Sequence, residues 1–313
     1  MSAIATIAAL AMLSLQPVAT DVSAPGPQGP LRGTLLAPQG DARATILIIP
    51  GSGATDRDGN NPMGVSAAPY RLLAEALAQQ SIATVRIDKR GLFGSAAAGN
   101  ANSVRVSDYV ADIRSWMGAV RAQGGEDCIW LLGHSEGVLM ALATAAESSD
   151  GVCGLVLMSG AGRRLSDVLR EQLRAAPQFA PHLASAMAAI DRLERGEHVD
   201  AAAIPPALMP LFAPPVQDYL IDNFAHDPAD LARRVQLPVL IVQGLSDLQV
   251  TEADARRLAA GNPRARLVLL PGVNHVLKRV EGDDRAANIA TYADPALPLA
   301  PGVAEAIAEF VRR

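Results

Sequence analysis

From residue 44 onward, short runs of branched aliphatic residues alternate with longer amphipathic stretches, and few architectures accept that pattern. The runs ATILIIP (44–50), IATVRID (82–88), CIWLLG (128–133), CGLVLMSG (153–160), PVLIVQG (238–244) and ARLVLLPG (265–272) are short and almost wholly apolar. They read as six strands buried on both faces, which predicts a mostly parallel sheet covered by helices on either side. Leu31 to Ala37 adds an antiparallel edge strand, entered from a Pro/Gly-rich turn.

The intervening stretches have helical spacing. In SDYVADIRSWMGAVRAQ, Ser107 is the expected N-cap, and Val110, Ile113, Met117 and Val120 fall on one face. Thr251 and Asp254 form a capping-box pattern that opens a helix over 252–260, and Val303, Ile307 and Phe310 give the last helix a face to dock on the sheet. From 162 to 235 the alternation stops: the segment is helical, broken by Pro205, Pro206, Pro210, Pro214 and Pro215, and reads as a helical cap inserted into a core of residues 25–161 and 236–313.

The chain begins with an apolar stretch, Ile4 to Leu15, followed by small residues and a Pro/Gly-rich segment, the outline of a signal peptide over residues 1–24. Against this stand the lack of Lys or Arg in the first 31 residues and the proline that would follow a cut after Ala24. Export to the periplasm or medium is the favoured expectation and a cytoplasmic protein the alternative, with no stable membrane span once a leader is removed. Cys128 and Cys153 open neighbouring strands; a disulfide and two buried thiols both remain open readings. A net charge of −5 with 19% charged residues offers no basic stripe for nucleic acid. Oligomeric state is left open.

The chemistry centres on LLGHSEGVL, residues 131–139, where Ser135 sits between Gly133 and Gly137 after a strand and before a good helix. That is the setting of a nucleophile elbow: a tight turn that exposes the serine leaves no room for Cβ atoms on its flanks. A serine hydroxyl needs a base, and the base an orienting acid. Of five histidines, His134 packs beside the turn and His182, His198 and His226 fall in the cap, which leaves His275, just past a late strand. Asp247 lies beyond the preceding strand and outranks Asp254 on its helix and Asp283 or Asp284 after the histidine.

With Ser135, Asp247 and His275 in that order, the chain resembles the α/β-hydrolase family over about residues 30–313. It is most similar to bacterial esterases that carry a PGSG…DRDGN segment, here IIPGSGATDRDGNNP at 48–62. The resemblance implies an oxyanion hole formed by the backbone N–H of Ser52, or alternatively Gly53, together with that of Glu136. The chain departs from the His-Gly pair found at this strand end elsewhere in the family, with Pro50 and Gly51 in its place. Asp56, Arg57 and Asp58 extend that loop, and an ion pair from one of the acids to Arg90 in RIDKRGLFGS is expected to fix it beside the site. GSGATDRDG lacks the Lys-Ser/Thr pair of a phosphate-binding P-loop.

The expectation is a serine hydrolase that cleaves carboxylic esters of small, apolar acyl groups without metal or organic cofactor. Thioester hydrolysis, prolyl-oligopeptidase-like peptide cleavage and a catalytically silent binding scaffold are the alternatives. Phe179, Phe212 and Phe224, with Met187, Met209, Leu211, Tyr219 and Leu220, either line the cap over the serine or pack its helices together.

Overall fold

The computed structural model describes residues 17–124 and 127–312. The expected leader therefore lies largely outside the described residues. Its last part does not: Val18–Ala24 forms strand β1 and pairs residue for residue with Leu31–Ala37, β2. The sheet continues with β3 (Ala44–Ile49), β4 (Ile82–Ile87), β5 (Ile129–His134), β6 (Val152–Met158), β7 (Val239–Gly244) and β8 (Arg266–Leu270). Their order across the sheet is β1-β2-β4-β3-β5-β6-β7-β8. β1–β2 and β2–β4 are antiparallel, and every other pair is parallel. All six expected core strands are present within two residues of their expected ends. The edge assignment is corrected: β2 is an interior strand, and β1 stands at the edge outside it.

Strand residues alternate between faces, and the two halves of the core follow that alternation. Leu47, Ile49, Leu131, Leu155 and Ile241 face helices α2 (Val106–Gly124) and α3 (Gly137–Glu147). Ile46, Ile48, Leu132, Val156 and Leu240 face α1 (Pro69–Ala78) and the last helix (Val303–Val311). Helix α2 begins at Val106, so Ser107 is inside its first turn and not its cap. Asp222 takes that terminal role from a distance, its Oδ2 accepting the Val106 N–H at 2.7 Å. Val110, Ile113 and Met117 are buried as the spacing implied, and the Thr251/Asp254 capping box is formed.

Between β6 and β7 the chain is helical. Helices α4 (Leu165–Ala175), α5 (Leu183–Glu194), α6 (Met209–Phe212) and α7 (Pro214–Phe224) enclose an apolar cluster separate from the two cores on the sheet. Helix α8 (Pro228–Arg234) packs differently, because Leu231, Ala232 and Val235 join the α2–α3 face of the main core. Cys128 and Cys153 are bridged by a disulfide, with Cα atoms 5.1 Å apart where β5 and β6 run side by side. Among the described residues, no helix is long and apolar enough to cross a membrane.

Candidate active site

Ser135 occupies the turn between β5 and α3 with φ +55°, a left-handed conformation costly for a residue with a side chain. A Cβ on Gly133 would come within 2.2 Å of the Gly137 carbonyl, and one on Gly137 within 2.3 Å of the Ile49 carbonyl. Both positions thus require glycine, and the serine is held out from the sheet at the N-terminus of α3, where backbone dipoles favour negative charge. The strand β3 loop closes in from the other side: a Cβ on Gly51 would lie 3.7 Å from Ser135 Oγ. Among the described residues, the backbone N–H groups of Ser52, Gly53 and Glu136 donate to no protein acceptor.

Asp247 and His275 stand on the loops after β7 and β8. The His275 Nδ1 lies 2.8 Å from Asp247 Oδ2, and the Asp247 side chain is fully buried. Burial alone would push that carboxyl up, but the imidazole and the N–H groups of Val250 and Gln249 hold it below its ordinary value. Those two N–H groups reach Oδ1 at 3.0 and 2.8 Å. An ionised Asp247 accepts the Nδ1–H hydrogen bond, so the imidazole keeps Nε2 free as a base. His275 and Ser135 border one cavity of about 140 Å³; they share it without a direct hydrogen bond between them.

His134 packs beside the turn, as its place in the motif implied, but its contacts add a layer that the sequence did not reveal. Its Nε2 is 2.9 Å from the His275 carbonyl and its Nδ1 2.8 Å from the Tyr70 hydroxyl. The carbonyl can only accept, which fixes Nε2–H as donor and leaves Nδ1 to accept from Tyr70. Tyr70 in turn accepts the Gly51 N–H at 3.1 Å. One buried chain of bonds therefore joins the Ser52 loop to the backbone of His275. Burial, then the neighbouring His275, push the His134 pKa down to about 3. Below about pH 6.5 an unfolded His134 takes up a proton that the folded one refuses. Stability is therefore lost as the pH falls from about 6.5 to 3, at roughly 1.4 kcal/mol per unit. His134→Gln is expected to flatten that slope when urea midpoints at pH 7 and pH 5 are compared; an unchanged slope refutes it.

The expected ion pair to Arg90 is not formed. Arg90 binds Asp112 at 2.6 Å and Asp108 at 3.0 Å, both on α2. The loop after β3 is tied instead by Arg57 to Asp88 at 2.7 Å and by Asp58 to Arg86, while Asp56 Oδ1 accepts the N–H groups of Asp58 and Asn60 at 2.8 Å each. Asp56, Arg57 and Asp58 thus brace the loop and Arg90 is held to α2, none of the four bordering the cavity; Gly51, Ser52, Thr55, Gly59, Asn61 and Val65 are the loop residues that do. Asp254 is also accounted for structurally: it caps its helix and pairs with Arg163 at 2.9 Å. Asp284 caps a short helix, Oδ1 accepting the Ala286 N–H at 2.8 Å.

A second cavity of about 260 Å³ opens from Ser135 under the inserted helices. Leu165, Val168 and Leu169 of α4 and Leu139 of α3 supply its apolar wall. Of the two readings left open for the aromatic residues of the insert, packing holds: Phe212 and Phe224 are buried in the insert's own core, with Phe179, Met187, Met209 and Leu211 packed against it. Helix packing outcompeted the lining role because those helices have no other apolar face to bury. Asn223, His226 and Gln249 border this cavity, and none of them carried a local signal in the sequence. Among the described residues, no three His, Cys, Asp or Glu side chains converge to hold a metal ion.

A mostly parallel sheet with a serine at its elbow, and an Asp–His pair at the ends of two later strands, defines an α/β hydrolase of the serine type. Residues 62–279 match the family model for serine aminopeptidase, S33, and the chain belongs to that family. It is 26% identical over 259 residues to esterase EstD of Thermotoga maritima, an alignment that covers 80% of this chain and 59% of that protein. Est1E from Butyrivibrio proteoclasticus, solved with ferulic acid bound, superposes with a TM-score of 0.59 at 17% identity, covering 93% of this chain and 100% of that one. Proline iminopeptidase from Mycobacterium smegmatis gives 0.58 at 15% identity, covering 93% and 97%. At such identities these two structures speak for the fold alone.

Proposed function

We propose that the protein hydrolyses carboxylic esters through an acyl-enzyme on Ser135. The observation that carries this reading is the Asp247–His275 pair, which opens onto the same cavity as Ser135 beside uncommitted backbone N–H groups. His275 Nε2 takes the hydroxyl proton as Oγ attacks the acyl carbon, and Asp247 holds the imidazole in the needed tautomer and stabilises its cation. The N–H groups of Ser52 and Glu136 receive the oxyanion. Collapse of the intermediate breaks the ester C–O bond, and the alcohol leaves with the proton from Nε2. Water, deprotonated by the same nitrogen, then releases the acid and restores Ser135. Similarity to EstD favours an ester over other acyl substrates.

Lys89 belongs to this reading as a positioning residue. Its ammonium, buried against Tyr109, donates to the Gly51 carbonyl at 2.5 Å. That oxygen and the Ser52 N–H are opposite ends of one peptide unit, so the cation fixes the plane of the oxyanion donor and polarises it. Lys89→Met is expected to lower kcat about 10²-fold, comparable to loss of one oxyanion donor, with KM little changed. An equal loss carried by KM refutes the role.

Fluorophosphonate labelling tests the whole proposal. The wild type should label and Ser135→Ala should not; a folded wild type that refuses the probe would instead identify a binding scaffold. One observation favours a second reading, cleavage of aminoacyl substrates: the Glu136 carboxylate borders the larger cavity beside Asn223, where an amino group would find a partner. Aminoacyl amides faster than matched esters would establish it. We also propose that the protein works in an oxidising compartment, on the strength of the Cys128–Cys153 bridge. Protein purified from the periplasm should then carry no free thiol, and two titratable thiols would refute it.

A further inference from the structure

We infer that the two cavities flanking Ser135 are separate chambers for the two halves of an ester, and that the natural substrates join an apolar acid to an alcohol bearing further hydroxyl or amide groups. This rests on the esterase reading above. The assignment of chambers follows from proton transfer. His275 must protonate the departing oxygen, so the alcohol lies on the imidazole's side of the serine. His275 borders the smaller cavity and not the larger, whereas Ser135 borders both. The alcohol therefore occupies the smaller chamber, and the acyl chain extends under α4 along Leu165, Val168 and Leu169.

The smaller chamber is built for polar groups. Its outer wall is Tyr292, whose hydroxyl oxygen accepts from Gln249 Nε2 at 3.3 Å. Among the described residues the Tyr292 proton has no protein partner, which leaves a donor for a ligand on the side of this chamber; Gln249 is exposed and borders both cavities. Asn61 also lines the chamber, its amide held by Thr55 Oγ1 at 3.3 Å and by the Met63 N–H at 2.9 Å. The wall is held in place from both sides. Ser66, in the loop after β3, donates to the carbonyls of Tyr292 and Ala293 at 2.8 and 2.9 Å. Asn274, the residue before His275, donates to Thr291 Oγ1 at 2.7 Å, and Asn288 donates to the Ser246 carbonyl at 2.7 Å. Asn288 and Thr291 thereby anchor the segment to the loops that carry the histidine and the acid. A polar alcohol meets a donor already in position, which an alkyl alcohol cannot use.

Four esters separate the chambers: the ethyl and monoglyceryl esters of acetic and octanoic acid. For the wild type, kcat/KM should favour the glyceryl over the ethyl ester of either acid by about 10-fold, and octanoyl over acetyl for either alcohol. Tyr292→Phe should shrink the alcohol ratio to about 3-fold or less while the acyl ratio stands. Leu165→Trp, or Leu169→Trp as an independent variant, should cut the acyl ratio about 10-fold while the alcohol ratio stands. A wild type without alcohol preference, a Tyr292→Phe that leaves the alcohol ratio intact, or a tryptophan variant that changes the alcohol ratio overturns the assignment. If the wild type cleaves esters and labels at Ser135, such results sink the chamber assignment alone. If it does neither, the esterase reading falls and takes this inference with it.

Discussion

Ser135→Ala should reduce ester turnover about a million-fold, to the residual rate that binding and backbone amides give without a nucleophile. The change removes one oxygen from a position that the fold holds under strain, and it adds no bulk. Folding should be preserved, since alanine keeps the Cβ and the left-handed backbone at 135 is imposed by the surrounding turn. KM for a slow ester should remain within a few-fold, because both cavities are intact. Steady-state kinetics with an active-site-titrated wild type as reference will read this. Turnover within a hundred-fold of wild type would mean that another nucleophile acts.

Asp247→Asn should cost about 10⁴-fold in kcat while leaving the side chain nearly the same size. In the native chain Asp247 Oδ2 accepts from His275 Nδ1, and Oδ1 is already occupied by two N–H groups. The amide can keep Oδ1 as it is only by turning its NH₂ toward His275. That donor would bind an unprotonated Nδ1, and the proton would move to Nε2, where the base is needed. The defect should shrink when the pH is raised enough for hydroxide to substitute for the base. Acid stability should change as well. Asp247 ionises below its ordinary range in the fold, so its charge stabilises the native state above the unfolded carboxyl value near 4. That contribution is lost as the pH falls through the folded value. The asparagine variant should lack this loss, and a wild-type acid transition that the substitution leaves unmoved would contradict it.

The parts of this protein legible in the sequence are those whose cause is local. Ile46 to Ile49 or Leu240 to Val242 must be strands buried on both faces, because no other element hides so short and continuous an apolar run. Gly133 and Gly137 mark the elbow because the turn itself forbids a Cβ. Asp247 and His275 could be chosen among rivals because each directly follows such a strand.

Contacts between distant segments could not be read this way. Arg57, Asp58, Asp88 and Arg90 were all visible as charges near the site, yet their pairing depends on which loop ends and which helix face meet in space, and Arg90 went to Asp112. Val18–Ala24 carried no strand signal because an edge strand needs only half a hydrophobic pattern, and its partner decides its state. The aromatic residues of the insert carried the same ambiguity, which packing resolved in favour of their own core.

Sequence alone thus determined the sheet, the turn that presents Ser135 and the strand ends that present Asp247 and His275, since steric limits on a few neighbouring residues dictate each. Only the tertiary structure decided how the site is braced and divided: the Tyr70–His134 chain, the Lys89 cation on the Gly51 carbonyl, and the two cavities. The bonds of that Tyr70–His134 chain alone join residues 19 to 141 apart, and such a meeting is set by the packing of whole elements and leaves no periodic trace in the chain.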